Sequence, residues 1–386
     1  MNKYNLGGQM RIAVCTPMFR PDLNGLVTAV FERCKELINL GHKVLLIAPT
    51  DGSDDSIRCI SELRSIGVSI ETYVSFYDKK NGINRPRPYS LRKIAHRKVH
   101  EFEPDILFVD SPLIAFIFAR YMPRIKKLRK KGVLIAGICH ANVVLGLKKG
   151  KFPLIAILAN ILGKFVYNRY DFTIMPSTFL KDTVGNVKNA LVIPFLGYRN
   201  LSIISKAQKR KATFRVLYVG RIEIEKNIEF LYKVANNVQN KSKYEIEWIF
   251  VGGGGALENW RAKQTDRIKF IGPESPENVR EWYKSSDIFV TACEHESFGL
   301  TIIEAMASGI PVLVPNAGMA PKHIPPSCKE LIYNPSDIVG LTELILRLCT
   351  DQNFYNYVSG HRSMLELSWN EATNILISEV IRKWIK

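Results

Sequence analysis

An α/β chain of two doubly wound parallel sheets in tandem is predicted by three features of the sequence. Short β-rich runs alternate with helical patterns along almost the whole length, one polar and basic stretch interrupts the series, and the alternation then starts afresh. At 386 residues the chain can build two cores, and 46% apolar with 23% charged residues is an ordinary globular composition.

Taken in order, the first series opens with RIAVCT and a helix from Gly25 to Leu40, then KVLLIA, a helix near Asp54–Ile66, VSIETYV, a helix near Leu91–Phe102 and DILFVD. It continues through VLIAGICH, a helix over 152–168, DFTIMPS and ALVIPF. GYRNLSIISKAQKRKAT, after Phe195, reads as the connection. The second series runs through FRVLYVGR, EIEWIFVGG, RIKFIG, DIFVTA and PVLVP. The expected domains are therefore 1–195 and 196–367, each a Rossmann-like unit with its ligand crevice at the carboxyl ends of the strands.

Charge divides the two halves. Residues 1–195 hold 30 lysines and arginines against 15 acidic residues, which leaves 24 against 21 for the remainder. The densest basic run, ARYMPRIKKLRKKG (Ala119 to Gly132), follows the apolar SPLIAFIFA, and a second cluster, Lys148 to Lys151, leads into FPLIAILANILGKFVY. An apolar segment beside a basic cluster suits an anionic membrane surface. Ordinary buried helices with solvated basic ends are the alternative. Nucleic acid is not an expected partner, because the basic runs lack interleaved aromatics and no recognition module is visible. The seven cysteines stand singly, as buried thiols of a reducing compartment do, and no apolar run reaches the roughly 18 residues of a spanning helix. The expectation is a cytoplasmic protein, peripheral at the membrane if it meets one.

The stretch EHESFGLTIIEAMASGIP (Glu294 to Pro311) carries the clearest chemistry. Phe298, Gly299 and Leu300 fall where a loop becomes a helix, so their N–H groups lack intrahelical partners and face the positive end of the helix dipole, where a phosphate can dock. Glu304 lies about 7–8 Å further along the axis at ~1.5 Å per residue, and Glu296 stays in the preceding loop. Carboxylates on either side of a bound diphosphate suit the vicinal hydroxyls of ribose and hexose. The ligand implied is a nucleoside diphosphate sugar. Ser297 is a candidate helix cap, and Gly309 with Pro311 a candidate stop.

These residues carry a resemblance. ESFGLTIIEAMASGIPVL, with seven residues between Glu296 and Glu304, resembles the signature of retaining GT-B glycosyltransferases of family 4 (glycosyl transferases group 1), and LYVGRIEIEKNIEFL (Leu217 to Leu231) resembles the same family's strand, Gly-Arg and Lys element. RIAVCTPMFRPDLNGLVTAV and SWNEATNILISEVI resemble its first and last segments, so nearly the whole chain is covered. The resemblance implies two Rossmann-like domains facing a central cleft, acceptor in the first and donor in the second, with the helix from about Ser368 to 386 crossing back onto the first. It assigns Gly220, Arg221 and Lys226 to the donor phosphates, Glu296 to the transferred sugar and Glu304 to the ribose. Transfer would proceed with retention by front-face attack, the departing diphosphate helping to deprotonate the acceptor.

Three further elements need weighing. Gly25, after Asn24, holds the phosphate-loop position of the first domain, although a lone glycine before a helix is often only a turn. The phrase PDLNGLVTAV is similar to members that glycosylate membrane lipids. His140 ends VLIAGICH, where the family commonly has a histidine close to the reacting sugar; a single histidine is by default a structural hydrogen-bonding residue. Gly252 to Gly255 hold fragments of a dinucleotide fingerprint but lack the later acidic residue, so a tight turn lining the donor pocket is expected. No DxD or paired-histidine motif appears, so neither a metal nor a cofactor is expected. A UDP-sugar is favoured over a GDP-sugar as donor, and a membrane glycolipid or surface polysaccharide is the expected acceptor. An epimerase, a phosphorylase and a non-catalytic sugar-nucleotide binder remain as alternatives.

Overall fold

The computed structural model describes residues 8–19, 25–78, 83–86, 90–119, 121–141, 153–198 and 213–385. They form two compact units, Met1–Gly197 with Trp369–Lys386, and Tyr198–Ser368.

In the first unit eight strands, β1 (Arg11–Cys15), β2 (Lys43–Thr50), β3 (Ser69–Asp78), β4 (Ile83–Pro86), β5 (Ile106–Asp110), β6 (Leu134–Ile138), β7 (Phe172–Met175) and β8 (Ala190–Val192), stand in the order 4-3-2-1-5-6-7-8. The central strands read as unbroken apolar runs because helices cover both faces: Ile12 to Val14, Leu107 to Val109 and Ile135 to Ala136 are fully buried. All pairings are parallel except one. β4 runs antiparallel to β3 at the sheet edge, a departure from the all-parallel expectation. Its short sequence INRP ends in a proline, which is tolerated only where no ladder donor is needed.

Helix Gly25–Asn39 buries Val27, Val30, Phe31, Cys34 and Leu37, one stripe at helical spacing, against the sheet. Ser53 caps helix Asp54–Ser65 by accepting from the Ser56 amide, with Asp54 and Asp55 on the favourable end of its dipole. The closing helix Trp369–Ile385 packs on Gly25–Asn39, and Asn370 donates to Glu36 at 3.0 Å.

The basic run after Ala119 folds as the short helix Ile125–Lys130, with Ile125 and Leu128 buried and the cations outside. Arg129 pairs with Asp171 and Lys131 with Glu103. Helix Pro153–Tyr167 differs from an ordinary core helix. Val166 and Tyr167 are buried, yet Leu154, Ile157, Leu158, Ile161 and Phe165 form an opposite apolar face that is 49–76% exposed.

The second unit has six parallel strands, β9 (Thr213–Val219), β10 (Glu245–Val251), β11 (Ile268–Gly272), β12 (Ile288–Val290), β13 (Val312–Pro315) and β14 (Ile332–Tyr333), in the order 11-10-9-12-13-14. Its core is aromatic on one side, where Trp248, Phe250 and Phe270 stack, the last two with ring centroids 4.5 Å apart. Ser275 caps helix Pro276–Ser285, whose first residue is the proline that position favours.

Candidate active site

Each sheet reverses its winding once. In the second unit β9 leads outward to β10 on one side while β12 lies on the other, so the ends of β9 and β12 flank a topological switch point, the place where ligands of open α/β sheets bind. The loops at that point deliver Lys226 and Glu296. Their side chains meet at 3.0 Å, each about one-fifth exposed, and Lys226 also lies 3.4 Å from the Cys293 thiol. Burial raises the Glu296 carboxyl, but the ammonium of Lys226, its hydrogen bond and the Phe298 amide together hold it below its usual range. The Lys226 ammonium is raised, because the charges of Glu296, Cys293 and Tyr218 outweigh its desolvation. The pair is ionised at neutral pH.

Local backbone explains the placement. β9 ends at Val219, the 3-10 turn Ile224–Lys226 follows, and Asn227 adopts a left-handed conformation (φ 55°) before helix Ile228–Lys241. The Gly220 to Ile222 loop lies against the glycine run 252–255: Gly220 N–H donates to Val251, Ile222 N–H to Gly253, and a Cβ on Gly252 would sit 2.0 Å from the Gly220 carbonyl oxygen. Only glycine fits there. The run is the tight turn expected of it.

Helix Leu300–Ala307 begins beside the pair. Its cap position is Gly299 in a left-handed conformation (φ 94°), two residues after the Ser297 expected there. A Cβ on Gly299 would lie 2.9 Å from His323 Nε2 and 3.4 Å from Glu296 Cγ, which makes this glycine a requirement of close approach. The helix ends at Ala307, and Gly309 follows with φ 79°, as a carboxyl-terminal glycine does. Of the three amides expected to cradle a phosphate, that of Phe298 is engaged by Glu296.

The remaining predicted residues lie as follows. Glu304 accepts from the buried Tyr283 hydroxyl at 3.0 Å. Arg221 is about half exposed and bonded to Glu225 at 2.6 Å. Gly25 is the exposed first residue of its helix, and Asn24 lies outside the described residues. Sequence reasoning missed His323, fully buried, which bonds the Phe298 carbonyl through Nε2 and Ser363 through Nδ1.

It also missed the partners of His140. The first sheet changes direction between β1 and β5. Asp110, the last residue of β5, accepts from Arg33 of helix Gly25–Asn39 at 2.5 Å and meets His140 Nε2 at 2.6 Å. Arg33 and Asp110 are 1% and 0% exposed. Phe195 stands edge-on to the His140 ring at 5.3 Å. Among the described residues no cluster of three or more His, Cys, Asp or Glu is arranged to hold a metal ion, and no helix is long and apolar enough to cross a membrane.

Residues 23–194 match Glycosyltransferase Family 4, and residues 201–360 match Glycosyl transferases group 1. The GDP-mannose-dependent alpha-mannosyltransferase of Mycolicibacterium smegmatis is 24% identical over 390 aligned residues, which cover 95% of this chain and 96% of that one. The alpha-monoglucosyldiacylglycerol synthase of Streptococcus pneumoniae is 22% identical, covering 79% of this chain and 70% of its own. Sucrose-phosphate synthase from Thermosynechococcus elongatus superposes with a TM-score of 0.72 at 19% identity, covering 98% of this chain and 99% of that one. HepE from Anabaena, determined in complex with UDP-glucose, gives 0.67 at 15% identity, covering 98% and 99%. The two family matches together take in most of the chain, and it belongs to the family 4, group 1 glycosyltransferases, as an enzyme of the GT-B fold.

Proposed function

We propose that the protein is a retaining, metal-independent glycosyltransferase that moves a sugar from a nucleoside diphosphate sugar to a glycolipid acceptor at an anionic membrane surface. The observation that carries this is the Lys226–Glu296 pair, set at a topological switch point beside the start of helix Leu300–Ala307. In front-face transfer the acceptor oxygen bonds to the anomeric carbon, the bond from that carbon to the phosphate oxygen breaks, and the acceptor proton passes to the departing phosphate. Negative charge grows on the phosphate. Lys226, Arg221 and the amides of Gly299 and Leu300 supply the positive counterpart that a metal ion would otherwise provide. Arg221 reaches it by leaving Glu225, a surface pair worth under about 1 kcal/mol. Glu296 then orients the sugar and Glu304 the ribose.

The relatives name both guanosine and uridine donors, so UDP-glucose, GDP-mannose and their free diphosphates are the ligands to compare. UDP-sugars are the donors we favour. Thermal stabilisation by one base series picks the donor, since a ligand at a hundred times its dissociation constant adds about 2.7 kcal/mol. Transfer with that donor should survive chelation of divalent ions, and proton NMR of the product should show the donor's anomeric configuration. An inverted product, or activity abolished by chelator and restored by a divalent ion, refutes the corresponding half of the proposal. Conversion of the donor without any acceptor would instead indicate an epimerase.

Membrane attachment is supported by the exposed face of helix Pro153–Tyr167. Arg169 lies over the Phe165 ring at 4.5 Å, joining a cation to the apolar stripe. Arg124, Lys126, Lys127 and Lys130 are exposed elsewhere on the unit, and Arg92, Lys93, Arg97 and Arg124 line a recess with His96, His100 and the single acid Glu101. Apolar insertion flanked by cations is the pattern that holds a helix at an anionic interface.

A further inference from the structure

We infer that Arg33 and Asp110 are positioning residues for transfer: their buried pair fixes His140 with its proton on Nε2 and so presents Nδ1 as a hydrogen-bond acceptor to a sugar hydroxyl. The inference rests on reading His140 as a residue that meets the substrate.

A fully buried ion pair is weak as a source of stability, because desolvation of both charges offsets their attraction and a well-packed apolar replacement serves as well. Its presence at the switch point of the first sheet therefore calls for another role. Arg33 gives one Nη2 bond to Asp110, while its Nε and Nη1, equally buried, have no hydrogen-bond partner among the described residues. All of the directed bonding of this cation serves one carboxylate. That carboxylate has a second oxygen, and it is bonded to His140.

The protonation states follow. Burial raises Asp110, but Arg33 and His140 together bring it below the usual carboxylate range, so it is ionised and can only accept. Burial lowers His140, against the opposing pull of Asp110, so the ring is neutral at pH 7. A neutral imidazole beside an obligate acceptor must place its single proton on the nitrogen that faces it. Nδ1 is then left with its lone pair. The other titratable groups near the array, Cys15 on β1 and Cys34 on helix Gly25–Asn39, are both pushed up to about 12 by burial and stay neutral. Phe195 packs edge-on against the ring.

The test combines nitrogen NMR of histidine-labelled protein with steady-state kinetics of Asp110→Asn, Arg33→Lys, His140→Ala and the double variant Asp110→Asn with His140→Ala. In the wild type the His140 signals should report a proton on Nε2 and a bare Nδ1. A carboxamide in place of the carboxylate can donate as well as accept, so Asp110→Asn should mix the tautomers and lower kcat by roughly 10²-fold, the scale of a misplaced group, with donor KM nearly unchanged. In the His140→Ala background the same substitution should have little further effect. If His140→Ala alone leaves kcat intact, the substrate-facing role of His140 fails and the inference with it. If His140→Ala is impaired but Asp110→Asn is fully active, or is equally damaging without His140, the positioning role is overturned while the role of His140 stands. A wild-type proton on Nδ1 overturns the inference even if no variant folds.

Discussion

The two sheets place an ion pair at the same topological position and use it in opposite ways. Arg33 and Asp110 at the β1/β5 reversal are sealed, 1% and 0% exposed, and spend their charges on each other and on His140. Lys226 and Glu296 at the β9/β12 reversal are each about one-fifth exposed and have no third charged member bonded to them among the described residues. A sealed pair can only organise a neighbour. An open pair can be re-partnered, and the proposed mechanism has a diphosphate take the ammonium while the carboxylate turns to a hydroxyl.

The largest effect that would break this comparison concerns stability. Arg33→Met strands a buried carboxylate and should lower unfolding free energy by about 3–5 kcal/mol, as read from urea titration. Lys226→Ala should lower it less, because water can reach the Glu296 carboxylate it leaves behind. Equal losses would show that the two pairs are alike.

Next comes turnover. Lys226→Ala and Arg221→Ala should each reduce kcat by an amount equivalent to about 2.7–4 kcal/mol, the scale of a lost oxyanion donor, with circular dichroism unchanged. Near-wild-type rates in both would take them out of the mechanism. Glu304→Gln should weaken calorimetric binding of the free nucleoside diphosphate, whereas Glu296→Gln should spare binding and impair transfer.

A smaller effect is expected at the outer face of the first unit. Each exposed cation near an anionic bilayer contributes about 1 kcal/mol, so the wild type should sediment with anionic vesicles at low salt and release as salt shortens the ~8 Å screening length of physiological buffer. Changing Leu158 and Ile161 to Glu should abolish sedimentation at any salt. Failure of the wild type to bind even at low salt would turn the acceptor reading toward soluble polysaccharide.

The smallest effect is shared. His140 and His323, one buried in each unit, both have folded-state pKa values lowered chiefly by burial. Their contribution to stability is present above the unfolded value of about 6.5 and is lost as pH falls below it. Urea midpoints should decline between pH 7 and 5, and His323→Gln should flatten that decline. A midpoint indifferent to pH would show that folding does not lower the pKa of either ring.

The residues around helix Leu300–Ala307 are far more legible in the sequence than those around His140, for a physical reason. Glu296, Gly299 and Glu304 lie within one loop and one helix turn, so spacing alone sets their geometry. Arg33, Asp110 and His140 are 77 and 30 residues apart, and only the order of β1, β5 and β6 brings them together. A charged residue inside an apolar helical stripe, as Arg33 is between Val30 and Cys34, was the available signal. His323 gave none, since it sits in a 3-10 turn without periodic pattern. The antiparallel β4 was hidden by its length, and the cap position by a left-handed glycine two residues after Ser297.

The contact of Gly252 with Gly220 also sets how the second unit can be altered. With a hypothetical Cβ only 2.0 Å from a carbonyl oxygen, Gly252 leaves no room between the β9 and β10 loops, and Gly254, 2.5 Å by the same measure from the Ile222 carbonyl oxygen, repeats the condition. The two loops are effectively a single slab. Randomised variant libraries should therefore recover glycine alone at these two positions while accepting many residues at exposed Gly255, and any alanine forced in at Gly252 should displace the Gly220 to Ile222 backbone, carrying a change in one loop into the neighbouring loop that holds Arg221.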